Sequence, residues 1–189
     1  MTSIDILNEK IKKAVLEEFP DKIPVLGEGS LNAKVLFVGE APGREESLKG
    51  RPFVGKAGKN LDGILYKIKL KREDIYITNT VKFRPTKLSA KGTVSNRAPN
   101  KKEIAYMLPF LLEEIDLVSP KIIVTLGNTP LKALMGEKFA VGLCHANKLS
   151  YKAQILFPLY HPASLIYNPA LKDTFERDFF ALKKLINSV

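Results

Sequence analysis

With 189 residues, 45% hydrophobic and 26% charged, the chain is long enough to bury a substantial core, and no apolar run is long enough to cross a bilayer, so one domain over residues 1–189 is expected. Cys144 is the only cysteine, which excludes an internal disulfide and an all-cysteine metal or iron–sulfur site; with only His145 and His161 beside it, the composition argues against zinc as well. The net charge of +10 is concentrated, since residues 75–102 (Lys82, Arg84, Lys87, Lys91, Arg97, Lys101, Lys102) and residues 138–172 (Lys138, Lys148, Lys152, Lys172) contain no acid, and such a local excess favours a polyanion partner over the plainer reading of solvated basic loops.

In chain order, an amphipathic helix is expected from about Ile4 to Glu18. The charges spread through Met1 to Lys13 do not make a signal-peptide core, so we expect a soluble cytoplasmic protein, nucleoid-associated if prokaryotic. Four short aliphatic and β-branched runs follow at intervals: Lys34 to Val38, Ile75 to Thr80, Lys121 to Leu126 and Gln154 to Leu159. Their continuous apolar character suits strands covered on both faces. Ala57, Leu61, Ile64, Leu65 and Ile68 share one helical face, as do Ile104, Met107, Leu108, Leu111, Leu112 and Ile115. A short helix is expected after Thr129-Pro130, and Phe175, Phe179, Leu182 and Ile186 mark a last helix capped by Asp173. Strand alternating with helix predicts an α/β fold of three layers, αβα, around a central four-stranded parallel sheet. Phe83 to Asn100 is the longest irregular stretch, too long for a mere connector.

The chemically suggestive segments all follow predicted strands. Gly39-Glu40-Ala41-Pro42-Gly43 follows the first, Asn79 ends the second, Gly127-Asn128 follows the third and His161-Pro162-Ala163 the fourth. Carboxyl ends of parallel strands form the ligand-binding edge of open α/β sheets, so these segments should converge. Singly, each has a plain structural reading as a turn, a cap or a rigid loop. A competing signal is Gly50-Arg51-Pro52-Phe53-Val54-Gly55-Lys56-Ala57, which has the glycine and lysine spacing of a phosphate-binding P-loop and would make the chain a nucleotide hydrolase. Ala57 stands where a magnesium-binding hydroxyl is needed, Pro52 removes a backbone donor, and no strand directly precedes the segment.

Taken together, the segments from about Val25 to the carboxyl terminus resemble the type-four uracil-DNA glycosylases, within the wider uracil-DNA glycosylase superfamily. The matching stretches are Gly27-Glu28-Gly29, Val38 to Gly43, Gly50 to Gly58, Tyr76-Ile77-Thr78-Asn79-Thr80-Val81-Lys82, Gly127-Asn128-Thr129-Pro130, Tyr160-His161-Pro162-Ala163-Ser164-Leu165 and Asn168-Pro169. The resemblance implies a DNA base-excision enzyme that flips uracil out of single- or double-stranded DNA and hydrolyses its N-glycosidic bond. It departs from that family in one respect. The four cysteines that hold a [4Fe-4S] cluster are missing; Phe83 and Met107 stand at the second pair and Leu16 to Leu26 lacks the first, so no cluster is expected.

The resemblance also assigns roles. His161 would hydrogen-bond uracil O2 and stabilise the departing anion. Asn79 would read the pyrimidine edge, Phe53 would stack on the ring, and Ala41 would border the base near C5. Glu40 and Glu46 are both candidates to orient water or offset the cationic sugar. Lys82, Arg84, Lys87 and Arg97 are expected along the DNA backbone, with Ser164 and Leu165 at the loop that enters the duplex and Leu165 or Ile166 as its wedge. No lyase lysine is evident, so a monofunctional, monomeric glycosylase is expected. The alternative on the same fold is a non-catalytic nucleic-acid-binding protein.

Overall fold

Five consecutive buried positions, Val35–Gly39, form a strand in the middle of the sheet, covered on both faces. The computed structural model describes residues Thr2–Val189. In chain order its elements are α1 (Ser3–Glu18), β1 (Glu28–Gly29), β2 (Val35–Gly39), α2 (Arg44–Lys49), α3 (Lys56–Lys67), β3 (Tyr76–Asn79), β4 (Thr86–Leu88), β5 (Val94–Asn96), α4 (Lys101–Val118), β6 (Ile122–Leu126), α5 (Asn128–Met135), α6 (Val141–Cys144), β7 (Leu149–Tyr151), β8 (Gln154–Leu159), α7 (Ser164–Tyr167) and α8 (Lys172–Asn187). No helix among them is long and apolar enough to cross a membrane.

The sheet runs β1-β3-β2-β6-β8-β7. Its four central strands are parallel, as the sequence predicts, while β1 and β7 add antiparallel edges that two- and three-residue segments were too short to announce. Alternation along the strands divides the core. Phe37, Ile77, Val124 and Phe157 point to one face, where α3 (Leu61, Ile64, Leu65) and α8 (Phe175, Phe179, Leu182) cover them. Leu36, Val38, Tyr76 and Ile123 point to the other, against Leu111, Ile115 and Val118 of α4. Leu131 of α5 and Val141 of α6 continue that second layer over Leu156. The three-layer αβα arrangement follows from this period-two division.

Helix ends have local causes. Asn100 caps α4 by accepting from the Glu103 amide while Glu103 returns the bond, and Thr2 and Asp5 do the same for α1. Asp173, expected as the cap of α8, instead lies in its first turn behind the cap residue Leu171, where a carboxylate still complements the helix dipole. The stretch Phe83 to Asn100, expected to be irregular, contains the β4–β5 hairpin, with Leu88 opposite Val94. Its strands are three residues each and largely exposed, which leaves no hydrophobic alternation for a sequence reading to detect.

Candidate active site

Parallel pairing brings the strand ends together. Gly39 and Asn79 are register partners, and the Thr80 and Val81 amides continue the ladder by donating to the Gly39 and Glu40 carbonyls at 2.8 and 3.1 Å. A β-carbon on residue 39 would collide with the Asn79 side-chain oxygen and the Phe53 ring, so only glycine lets these two side chains close over the strand end. Gly127, at φ +89°, turns the chain out of β6 and sits against the His161 β-carbon. Its amide donates to Leu159 at 2.8 Å, tying the third strand end to the fourth.

Phe53 is 4% exposed and adopts φ +52°, a conformation that costs a bulky side chain free energy. Arg72 holds it there. One guanidinium nitrogen donates to the Pro52 carbonyl at 2.5 Å and another to the Phe53 carbonyl at 3.0 Å, and Glu28 and Asp62 flank the guanidinium at 3.3 and 3.1 Å. The aromatic ring lies 5.9 Å from the His161 ring, tilted by 32°. Asn79, 3% exposed, completes the pocket, and none of the described residues hydrogen-bonds its amide.

His161 is in a defined chemical state. The Ala163 amide donates to its Nδ1 at 3.1 Å, so Nδ1 carries the lone pair and the proton resides on Nε2. Burial pushes its pKa down to about 4, against a smaller opposing pull from Glu46, so the ring is neutral at physiological pH. The Ser164 hydroxyl and amide both donate to the His161 carbonyl, at 2.6 and 2.8 Å, and the Asn60 amide donates to the Pro162 carbonyl at 3.0 Å. Beneath the loop, His145 Nδ1 lies 2.6 Å from Asp178 and its ring 4.9 Å from that of Tyr160. The loop is braced from several sides, as preorganisation requires.

The two candidate carboxylates differ. Glu46 accepts from the Gly43, Val54 and Gly55 amides at 3.1, 2.9 and 2.7 Å, which commits both oxygens and joins the Gly39–Gly43 segment to the Phe53 segment. Those Val54 and Gly55 amides are donors that a P-loop would offer to phosphate, so Glu46 occupies the place a nucleotide would need. Glu40 is only partly buried and has one side-chain partner, the Thr129 hydroxyl at 2.5 Å. Ala41 turns its methyl toward the apolar cluster under α1.

The expected DNA-facing residues separate into two groups. Lys82 is fully buried, with its ammonium 2.5 Å from both Glu114 and Thr78, and is unavailable to a phosphate. Burial pulls its pKa down while Glu114 pulls it up. Arg97 is held by Glu103 in a two-pronged bond of 2.7 and 2.6 Å, which raises its pKa and lowers that of Glu103. Lys82 is thus corrected from DNA contact to buried ion pair by a partner 32 residues away on α4, whereas Arg97 stays part-exposed and pairs locally with the first turn of α4. Arg84 is partly buried and donates to Asn96 at 2.6 Å, and Lys87 is exposed on β4. Leu165 packs inward on the main core, leaving Ile166 and Tyr167 exposed on α7, whereas the Ser164 hydroxyl is spent on the loop. Arg72, Thr129 and Asn60 escaped the sequence reading. Thr129 alone had a signal, its place in Gly127-Asn128-Thr129-Pro130.

The positions that would hold an iron–sulfur cluster lack its ligands. Phe83 and Met107 are wholly buried with Leu7, Ile11, Val15 and Val81, and the Phe19 ring lies 4.3 Å from that of Phe83. Apolar side chains without a thiolate do not fit such a group.

The chain is similar to known proteins over most of its length. A family model described as the uracil DNA glycosylase superfamily matches residues 26–183. A type-4 uracil-DNA glycosylase of Sulfurisphaera tokodaii is 41% identical over 98% of this chain and 86% of its own. Another, of Saccharolobus solfataricus, is 37% identical over 100% and 88% respectively. The crystal structure of wild-type SMUG2 from Pedobacter heparinus superposes with a TM-score of 0.62 at 16% identity, covering 84% of this chain and 77% of that one, a likeness of fold.

Proposed function

The chain belongs to the uracil DNA glycosylase superfamily, and we propose that it is a monofunctional repair glycosylase that extrudes uracil from single- or double-stranded DNA and hydrolyses its N-glycosidic bond, one copy of the 189-residue domain sufficing. The observation that carries this reading is the neutral His161 ring with its proton on Nε2, braced between Ala163 and the strand end.

When the bond between uracil N1 and the sugar C1′ breaks, the bonding pair passes to the base and charge gathers on O2. The sugar becomes oxocarbenium-like. The Nε2–H of His161 donates to O2 and strengthens its bond as that charge grows, at no cost of reorganisation. Phe53 stacks on the ring. The free Asn79 amide pairs with N3–H and O4, and cytosine, with donor and acceptor exchanged there, leaves the amide mismatched.

Of the two carboxylates, Glu40 is the better candidate to orient water, since its oxygens are not consumed by backbone donors as those of Glu46 are. Water adds to C1′, Glu40 takes its proton, and the uracil anion is protonated on release, leaving an abasic site. Lys82, sealed against Glu114, is in no position to form a covalent link with that site, which supports a monofunctional enzyme.

The test is alkali treatment of a uracil-containing oligonucleotide after incubation with the protein. Strand breakage at the uracil is expected, and His161→Ala should lower the rate about 10²–10³-fold, the usual cost of losing one such donor. Binding without breakage would make the chain a non-catalytic binder, and full turnover by His161→Ala would remove the histidine from the mechanism.

A further inference from the structure

Beside the His161 loop, residues of α3, α7 and α8 line a groove of about 440 Å³. Its floor is apolar, formed by Ile64, Leu165 and Phe175, while Lys59 and Lys172 stand exposed on its rim. A third lysine, Lys67, is neutralised by Glu176 at 2.7 Å, whereas Lys59 and Lys172 form no ion pair among the described residues. The groove shares a wall with the pocket. Asn60, which lines it, donates to the Pro162 carbonyl, and Leu165 and Ile166 continue directly from the His161 loop.

An apolar floor beneath two free cations matches the two halves of a nucleotide, an unstacked base and its phosphate. Resting on the reading of the pocket as a glycosylase site, we infer that this groove holds a nucleotide of the DNA strand flanking the extruded uracil, with its base on Ile64 and Leu165 and its phosphate between Lys59 and Lys172. The flanking strand leaves the pocket under tension, because extruding one nucleotide unstacks its neighbour. A groove that receives that neighbour would offset part of the unstacking cost. It would also bind single strands, whose bases need no unpairing, more tightly than intact duplex.

Gly63 makes the inference testable without unfolding the protein. It lines the groove, a β-carbon there meets nothing within 4 Å, and a side chain in place of glycine does not weaken a helix. Gly63→Phe should fill the groove. Binding of a uracil-free single-stranded oligonucleotide, followed by fluorescence anisotropy, is expected to weaken about tenfold in Gly63→Phe. In Lys59→Ala/Lys172→Ala, the slope of log affinity against log salt should fall by about 0.7, the value for one phosphate contact on a single strand. On the same strand carrying one uracil, KM should rise in both variants while kcat holds. Unchanged affinity in both variants overturns the groove assignment. A wild-type protein that binds the uracil-free strand with these sensitivities but releases no uracil would sink the glycosylase reading and leave the groove standing.

Discussion

Lowering the pH from 7 to 4 should destabilise the protein through His161, by an amount that follows from its surroundings. The ring titrates near 6.5 in an unfolded chain and near 4 in the folded one, because burial penalises its charged form. Between those values the unfolded state binds the proton and the folded state does not, so stability is full above pH 6.5 and declines as pH falls. At about 1.4 kcal/mol per pKa unit the loss reaches at most about 3 kcal/mol by pH 4. For a chain of this size that is a fall in Tm of roughly 6–12 °C. The assay is urea denaturation followed by circular dichroism at several pH values, on the wild type and on His161→Gln. Every other titrating group is common to the two proteins, so the difference between their pH slopes isolates the imidazole. The wild type should lose about 3 kcal/mol more than the variant between pH 7 and 4. Parallel curves would refute the desolvated, neutral histidine on which the proposed donor rests.

Other consequences can be checked separately. Thr129→Val should lower kcat about tenfold at constant KM by freeing Glu40 from its hydroxyl partner, and Thr129→Ser should restore it; equal loss in both variants would deny Thr129 this positioning role. Lys82→Met should cost about 3–5 kcal/mol because it strands the Glu114 charge, yet Lys82→Met/Glu114→Gln, which removes both charges, should recover much of it and bind DNA with an unaltered salt slope. A reduced slope in that double variant would return Lys82 to the DNA surface. Phe83→Ala should cost about 3–5 kcal/mol by opening a cavity under α1, measured by denaturant midpoint; a negligible loss would contradict the packing described there. Asn79→Asp should erode discrimination against cytosine, read as the ratio of kcat/KM on paired oligonucleotides, and an unchanged ratio would exclude Asn79 from base reading.

How much was legible beforehand depended on the range of the forces involved. The four central strands and the helices α1, α3, α4 and α8 are written in apolar periodicity, a property of neighbours in sequence, and the strand-end positions of Gly39, Asn79, Gly127 and His161 follow from topology alone. Edge strands β1 and β7 and the β4–β5 hairpin were not legible, because two or three half-exposed residues carry no period.

The division is sharpest for charge and for the glutamate beside the first strand. Sequence by itself determined that residues 75–102 carry seven basic side chains and no acid. Only tertiary packing decided that Glu114, from α4, takes Lys82 out of that surface, while Glu103, one residue beyond the stretch, pairs with a still part-exposed Arg97. Likewise Glu40 and Glu46 were chemically equal until the fold aimed three backbone amides at one of them and a single hydroxyl at the other. A residue's type sets what it can do, and burial and partners set by the whole chain decide what remains free to act.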